Sequence, residues 1–347
     1  MTRAALIPLL GVLSCLQGTA VGAPARAYRN PIRDVRTGKP LACPDPHVID
    51  LKKGSFRYFM VCTTDHDPDG IAIRRSRDLV RWYPAGSVFP KGRRPWWSSG
   101  RFWAPEIQRI HRRWVVYFAA SVDRSKTRVP VRPGAMALGV ATSRALRGPW
   151  HTRILHYRGQ GHGAAGQRER FGGTIDPSVV RSPLDGQLYL FWALQGTQIW
   201  AGRLSPDGLR LVGNIRRVVT PSKPWECHPN CTIEAPEPFY RGRTLNLLYS
   251  AASTWDGSYA IGLARGTDPL TGTYRKADRP VLRSGRRFIG PGHCSQPVRG
   301  PDGRTYILYH ALTSPDPKHL SNRRLLMIAR VRWRAGRMVI AGDGRAN

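Results

Sequence analysis

No 12-residue window in this 347-residue chain repeats its apolar residues at a convincing helical spacing, which excludes a domain built from helices. Beyond its first residues the chain has no run of 18 uninterrupted apolar side chains, so it predicts no membrane-spanning helix. It is also poor in acids, with 22 Asp and Glu against 55 Lys and Arg, for a formal charge of +33. No lysine-rich tail or single basic block carries that excess. Nor does a helix-turn-helix, zinc-finger or RRM signature accompany it, and a dedicated nucleic-acid-binding role is excluded. What remains for the charge is a solvated basic face or affinity for polyanions such as acidic cell-wall polysaccharide. Hydrophobics at 41% and aromatics at 9% exclude whole-chain disorder.

Residues 1–23 have the pattern of a secretory signal: Arg3 is the basic start, Ala4 to Leu16 the apolar stretch, and Val21-Gly22-Ala23 the small residues for cleavage. A secreted, extracellular protein is expected, with residues 24–347 as its mature domain. Of six cysteines, Cys15 lies in the signal, leaving Cys43, Cys62, Cys227, Cys231 and Cys294. No two of them form a CxxC pair. An oxidising compartment favours bridges over a zinc site at Cys227, His228 and Cys231. Cys227 with Cys231 and Cys43 with Cys62 are the pairings considered, and one thiol stays free.

What the chain does have is a repeat. Five aromatic-rich strands recur, at Tyr58–Cys62, Trp114–Phe118, Leu188–Trp192, Leu245–Tyr249 and Tyr306–His310. Turn signals such as Pro183-Leu184-Asp185-Gly186 and Pro301-Asp302-Gly303 precede them. Ahead of each hairpin stands a proline beside a polar group; prolines 46, 105, 177, 236 and 297 are separated by 59, 72, 59 and 61 residues. A third strand of small and β-branched residues follows each hairpin, and in three copies a turn leads to a fourth. Five near-constant units of four strands predict one all-β domain, a five-bladed β-propeller with antiparallel blades around a central channel.

In a propeller the first strand of each blade lines the channel, so groups beside the repeat prolines converge. Asp45, Asp176 and Glu234 occupy such places in blades 1, 3 and 4 and are read as equivalent. Converging carboxylates shift one another's pKa values, an arrangement suited to acid–base work. Glu237, three residues beyond Glu234, is expected on the opposite strand face. Glu106 stands out of register and is read as a polar partner for nearby backbone or arginine.

The segments Cys43-Pro44-Asp45-Pro46-His47-Val48, Trp103-Ala104-Pro105-Glu106-Ile107, Thr174-Ile175-Asp176-Pro177-Ser178-Val179, Ile233-Glu234-Ala235-Pro236 and Gly290-Pro291-Gly292-His293-Cys294-Ser295 together resemble glycoside hydrolase family 43. The Asn-Asp-Pro-Asn and Glu-Cys-Pro blocks of invertase-like fructosidases are absent. The resemblance implies inverting hydrolysis of glycosidic bonds in arabinose- or xylose-containing plant polysaccharide, of the α-L-arabinofuranosidase or arabinanase type. It implies Asp45 as general base, Glu234 as general acid and Asp176 as the group that orients Glu234 and keeps its pKa high. It further implies Trp103 as a wall of the sugar pocket and Arg324 as an arginine reaching that pocket. His293 stands where relatives keep a channel histidine associated with an ion; no cofactor is required, and a structural Ca2+ in the channel is the implied metal. Trp96 and Trp97, in a loop flanked by Pro, Ser and Gly, are expected outside the core, stacking on further sugar rings. The insertion Tyr157 to Gly173 is expected to wall one side of the channel and favour exo action. Two other readings stand beside this one: a non-catalytic carbohydrate- or polyanion-binding propeller, and a galactan- or fructan-cleaving relative.

Overall fold

The computed structural model describes residues 28–64, 70–90, 93–126, 135–156, 173–194, 196–254, 256–271, 273–313 and 324–341. The signal segment and the residues from Tyr157 to Gly172 lie outside this set.

Each blade is a meander of strands consecutive in the chain. Blade 1 comprises β1 (His47–Asp50), β2 (Tyr58–Val61), β3 (Ala72–Ser76) and β4 (Trp82–Ser87). Blade 2 comprises β5 (Ser98–Ile110), β6 (Arg113–Val122), β7 (Met136–Ser143) and β8 (His151–His156). Blade 3 is β9 (Thr174–Arg181), β10 (Leu188–Leu194), β11 (Gln198–Leu204) and β12 (Leu211–Val219). Blade 4 is β13 (Ile233–Arg241), β14 (Thr244–Ala251), β15 (Ala260–Gly266) and the short β16 (Arg275–Lys276). In blade 5 the inner strand is broken into β17 (Ile289–Gly292) and β18 (Val298–Arg299), which both pair with β19 (Thr305–Leu312), followed by β20 (Leu325–Arg334) and β21 (Arg337–Ile340). The five antiparallel sheets form the five-bladed propeller that the repeat predicts.

The period-two alternation of these strands is overridden where a sheet is covered on both faces, so second strands such as Trp114–Val122 and Leu188–Ala193 are buried continuously. Five apolar clusters result, one at each blade boundary. Phe59, Phe89, Phe102 and Phe118 fill the boundary of blades 1 and 2, and Leu190, Trp192, Tyr117 and Leu138 that of blades 2 and 3. Every large side chain fully buried in them contributes about 1.5–3 kcal/mol. Trp97 belongs to the first cluster: it is fully buried and stacks on Phe118 at 5.9 Å and 11°. The expectation of a sugar-stacking Trp97 is therefore corrected. The flanking loop residues end one position earlier than their composition suggests, and β5 begins at Ser98 with Trp97 tucked beneath it; Trp96 is the exposed member of the pair.

Residues 28–43 run along blade 5. Ile32 N donates to Leu326 O, Leu326 N to Leu41 O and Leu41 N to Ile32 O. Asn30 brackets Ile328 with two side-chain hydrogen bonds of 2.9 Å. Both expected disulfides, Cys43–Cys62 and Cys227–Cys231, are formed, and Cys294 is a buried free thiol.

Candidate active site

The inner strands of blades 2, 3 and 4 carry the same bulge. In blade 2, Trp103 faces Ala119 and Glu106 faces Tyr117, so three inner residues span two outer ones. Blade 3 repeats this with Ile175 opposite Ala193 and Ser178 opposite Phe191, and blade 4 with Glu234 opposite Ser250 and Glu237 opposite Leu248. A left-handed residue lies within each of these bulges, φ being 43° at Ala104, 56° at Asp176 and 52° at Ala235, and Asp45 and His293 take the same conformation in blades 1 and 5 at 53° and 44°. Such a bulge re-aims neighbouring side chains, and a non-glycine residue in this region carries backbone strain.

The left-handed positions change the equivalence read among the three acids. Asp45 and Asp176 are equivalent, but Glu234 sits one place earlier, where blade 2 has Trp103. Blade 5 matches at His293, not at Gln296-Pro297. The extra residue also overturns the expectation that Glu234 and Glu237 point to opposite faces. Their partners Ser250 and Leu248 are two residues apart on β14, so both glutamates lie on one face.

Three tiers follow. The middle tier is the left-handed residue itself. Asp45 is buried, its Oδ2 accepting from Thr63 Oγ1 and its Oδ1 from Arg324 Nη1 at 2.8 Å. His293 Nδ1 and His310 Nδ1 lie 3.2 and 3.3 Å from Oδ1. Burial alone would raise the Asp45 pKa, but the Arg324 and His293 charges overcome it and hold the carboxyl well below its ordinary value. Asp176 Oδ2 accepts the Ala235 N–H at 2.8 Å; burial, then the Asp45 charge, raise its pKa. Asp176 thus holds the peptide next to Glu234.

Glu234 forms the outer tier of blade 4. Tyr259 donates its hydroxyl to Oε1 at 2.7 Å. Oε2 faces Gly196, whose φ of +63° suits glycine and where a Cβ would stand 3.2 Å from that oxygen. Burial and then the Asp176 charge push the Glu234 pKa up to about 7. Tyr259 is itself packed so closely on Gly292 that any Cβ there would overlap its ring. Trp103, at the same place in blade 2, is half-buried with the Arg101 guanidinium 4.7 Å over its ring.

The inner tier, two residues past each left-handed position, is His47, Glu106, Ser178, Glu237 and Ser295, all buried. Glu106 accepts the Val179 N–H and the Gln108 amide, the backbone partnership expected of it. Burial raises its pKa to about 8, and burial together with the Glu106 charge raises Glu237 well above its ordinary value. His47 Nε2, Ser178 Oγ and Glu237 Oε1 have no hydrogen-bond partner.

His47, Glu106 and Glu237 offer ligand atoms within 4.8 Å of one another, the one such group among the described residues, and it omits His293. A metal does not fit it as folded. His47 Nδ1 accepts the Ile107 N–H at 3.3 Å, so the neutral ring carries its hydrogen on Nε2, toward the carboxylates. That nitrogen is a donor and not a ligand. Calcium, with its demand for six to eight oxygens, is served still less. One ring nitrogen of His293 is already turned to Asp45.

Tyr259, His310, Thr63 and Gly196 were not singled out in the sequence. A signal for two of them exists in the register: Thr63, just past β2, bonds Pro44 and His310 on β19 faces Gly292, the places where blades 2 and 3 have alanine.

Residues 28–339 match the family described as glycosyl hydrolases family 43. The chain is 28% identical over 316 residues to an extracellular exo-alpha-(1->5)-L-arabinofuranosidase of Streptomyces chartreusis, covering 87% of this chain and 88% of that one. It is 24% identical to the extracellular endo-alpha-(1->5)-L-arabinanase 1 of Bacillus subtilis, over 80% of this chain and 83% of the other. Among solved structures, a thermostable family-43 glycoside hydrolase superposes with a TM-score of 0.74 at 24% identity, covering 92% and 97% of the two chains.

Proposed function

Because the chain belongs to family 43 of the glycosyl hydrolases and is a glycosidase, we propose that it is a secreted enzyme that hydrolyses arabinofuranosyl linkages in plant polysaccharide with inversion at the anomeric carbon. The observation that carries this reading is a pair of carboxyl groups displaced in opposite directions within one site: Asp45 held ionised, Glu234 held protonated to about pH 7. Groups driven apart in this way divide naturally into base and acid.

Asp45 is the general base. With Oδ1 bound by Arg324 and Oδ2 by Thr63, its carboxylate is locked in one orientation and takes a proton from a water on the far side of the sugar. Glu234 is the general acid. Tyr259 occupies Oε1, so the transferable proton sits on Oε2, on the side left open by Gly196. Asp176 positions the Ala235 peptide and, by its charge, favours the protonated Glu234. Trp103 walls the sugar pocket, and Arg324 serves it through its grip on Asp45. A single displacement requires the two carboxyls about 6.5–9.5 Å apart to admit the water. No step calls on a metal. Family membership sets aside the non-catalytic binding propeller. Exo action is favoured, in line with the name of the Streptomyces relative.

Asp45→Ala and Glu234→Ala are expected to lower kcat/KM on arabino-oligosaccharides by about 10²–10⁴-fold without loss of fold. Proton NMR of the first product should show the inverted anomer. A retained anomer, or a Glu234→Ala variant as active as the parent, would refute the mechanism, and product analysis on linear arabinan separates exo from endo cleavage.

A further inference from the structure

Away from the channel, the outer side of blade 1 carries an open cleft of ≈ 370 Å³ lined by Phe56, Arg77, Asp78, Arg81 and Tyr83, a volume within the range of small-ligand sites. The guanidinium groups of Arg75 and Arg77 lie over the Phe56 ring at 4.2 and 4.6 Å. Phe56 meets Tyr83 edge to face at 5.8 Å, and Tyr83 is among the few large rings left exposed. Asp78 is fully engaged: it accepts from the N–H groups of Val80 and Arg81 and from Arg81 Nε at 2.9 Å. Arg75 and Arg77, by contrast, have no carboxylate within ion-pair distance among the described residues. Arg77 and Arg81 in the lining and Arg75 beside it over the same Phe56 ring, against Asp78, leave a local charge of +2.

We propose that this cleft is a surface subsite for the carboxylate-bearing sugar units of an acidic polysaccharide. A guanidinium edge presents parallel donors that match a carboxylate, and the exposed Tyr83 ring suits the apolar face of a sugar. Because the Phe56 ring holds Arg75 and Arg77 beforehand, less ordering is needed on binding. A nucleic acid strand asks for a groove that follows successive phosphates; this cleft offers one exposed ring and two adjacent charges. The ligand class rests on the polysaccharide-hydrolysing function proposed above, whereas the cleft uses none of its catalytic residues. It would hold the enzyme on a charged polymer while the channel works on neutral side chains.

Calorimetric titration with polygalacturonate, neutral linear arabinan and single-stranded DNA tests the assignment. The double variant Arg75→Ser with Arg77→Ser is expected to lose about tenfold or more in polygalacturonate affinity, since each charge-assisted contact is strong. Tyr83→Ala is expected to weaken it as well. As a control, Arg241→Ser with Arg265→Ser removes the same charge from the ring of Trp333 and is expected to lose less than about twofold through diffuse electrostatics alone. All variants keep wild-type hydrolysis of an aryl arabinofuranoside. Equal losses in both double variants, no loss in the first, or a loss confined to DNA would each overturn the proposal. A wild type that binds polygalacturonate through these arginines yet cleaves no arabinoside would support the subsite while refuting the catalytic assignment.

Discussion

Replacing Tyr259 with phenylalanine removes one hydroxyl and little else. The ring stacks on His310 at 5.9 Å and 6° and is fully buried, so packing survives the change. What disappears is the 2.7 Å hydrogen bond to Glu234 Oε1. Burial and the Glu234 charge raise the Tyr259 pKa well above its ordinary value, so the hydroxyl is a donor at every working pH. A hydrogen bond to a charged group is worth about 1.5–3 kcal/mol, and about 1.4 kcal/mol corresponds to one pKa unit. The neutral acid also accepts this bond, more weakly, which leaves a net shift of about one unit upward. Glu234, at about 7 in the parent, then stays protonated further into the alkaline range. The assay is kcat/KM against pH for two aryl arabinofuranosides, one with a good leaving group and one with a poor one. The alkaline limb of the poor substrate should move up by about one pH unit. Its maximal rate should fall, because Oε1 is no longer pinned and a weaker acid donates less readily. An alkaline limb that stays in place or moves down would refute both the role of Tyr259 and the choice of Oε2 as proton donor.

Glu106 and Glu237 have folded-state pKa values raised above the ordinary 4.5, the first to about 8. Their stabilising contribution is therefore complete below about pH 4.5 and lost as pH rises through the folded values. Tm should fall between about pH 5 and 9. Glu237→Gln removes the neighbouring charge and should flatten that slope, whereas parallel slopes in thermal melts would contradict the coupling. Dialysis against EDTA is expected to leave kcat/KM unchanged, since the buried trio presents an N–H in place of a ligand; lost activity restored by Ca2+ would show otherwise.

The propeller was legible because its signals are local and repeated: turn residues, aromatic second strands and a near-constant spacing of prolines. The two expected disulfides formed for a similarly local reason, their cysteines lying 19 and 4 residues apart in the chain. The exact register was not legible. In blades 1 to 4 the repeat proline directly follows the left-handed residue, but that residue has no fixed side chain, as Ala104 and Ala235 illustrate, so the acids alone misaligned Glu234. In blade 5 the proline sits four residues past the bulge, which misplaced that copy. Trp97 was misassigned because its polar neighbours describe the loop and not the face of β5 beneath which the ring is held. Tyr259 comes near Glu234 across the sheet of blade 4 and Gly196 across the boundary with blade 3, both from segments without any motif.

At four of the five blade boundaries the last strand of one blade leads along the chain to the first strand of the next. The boundary between blades 5 and 1 is a seam, held by the hydrogen bonds of residues 28–43 to β20 and by the apolar cluster beneath them. Asp45 lies on one lip of that seam, and its partners Arg324, His293 and His310 all come from the other. The proposed base is thus assembled across the joint that residues 28–43 close, where they pass from their hydrogen bonds on β20 into blade 1. Any parting of the lips strips Asp45 of its ion pair before a single blade has melted.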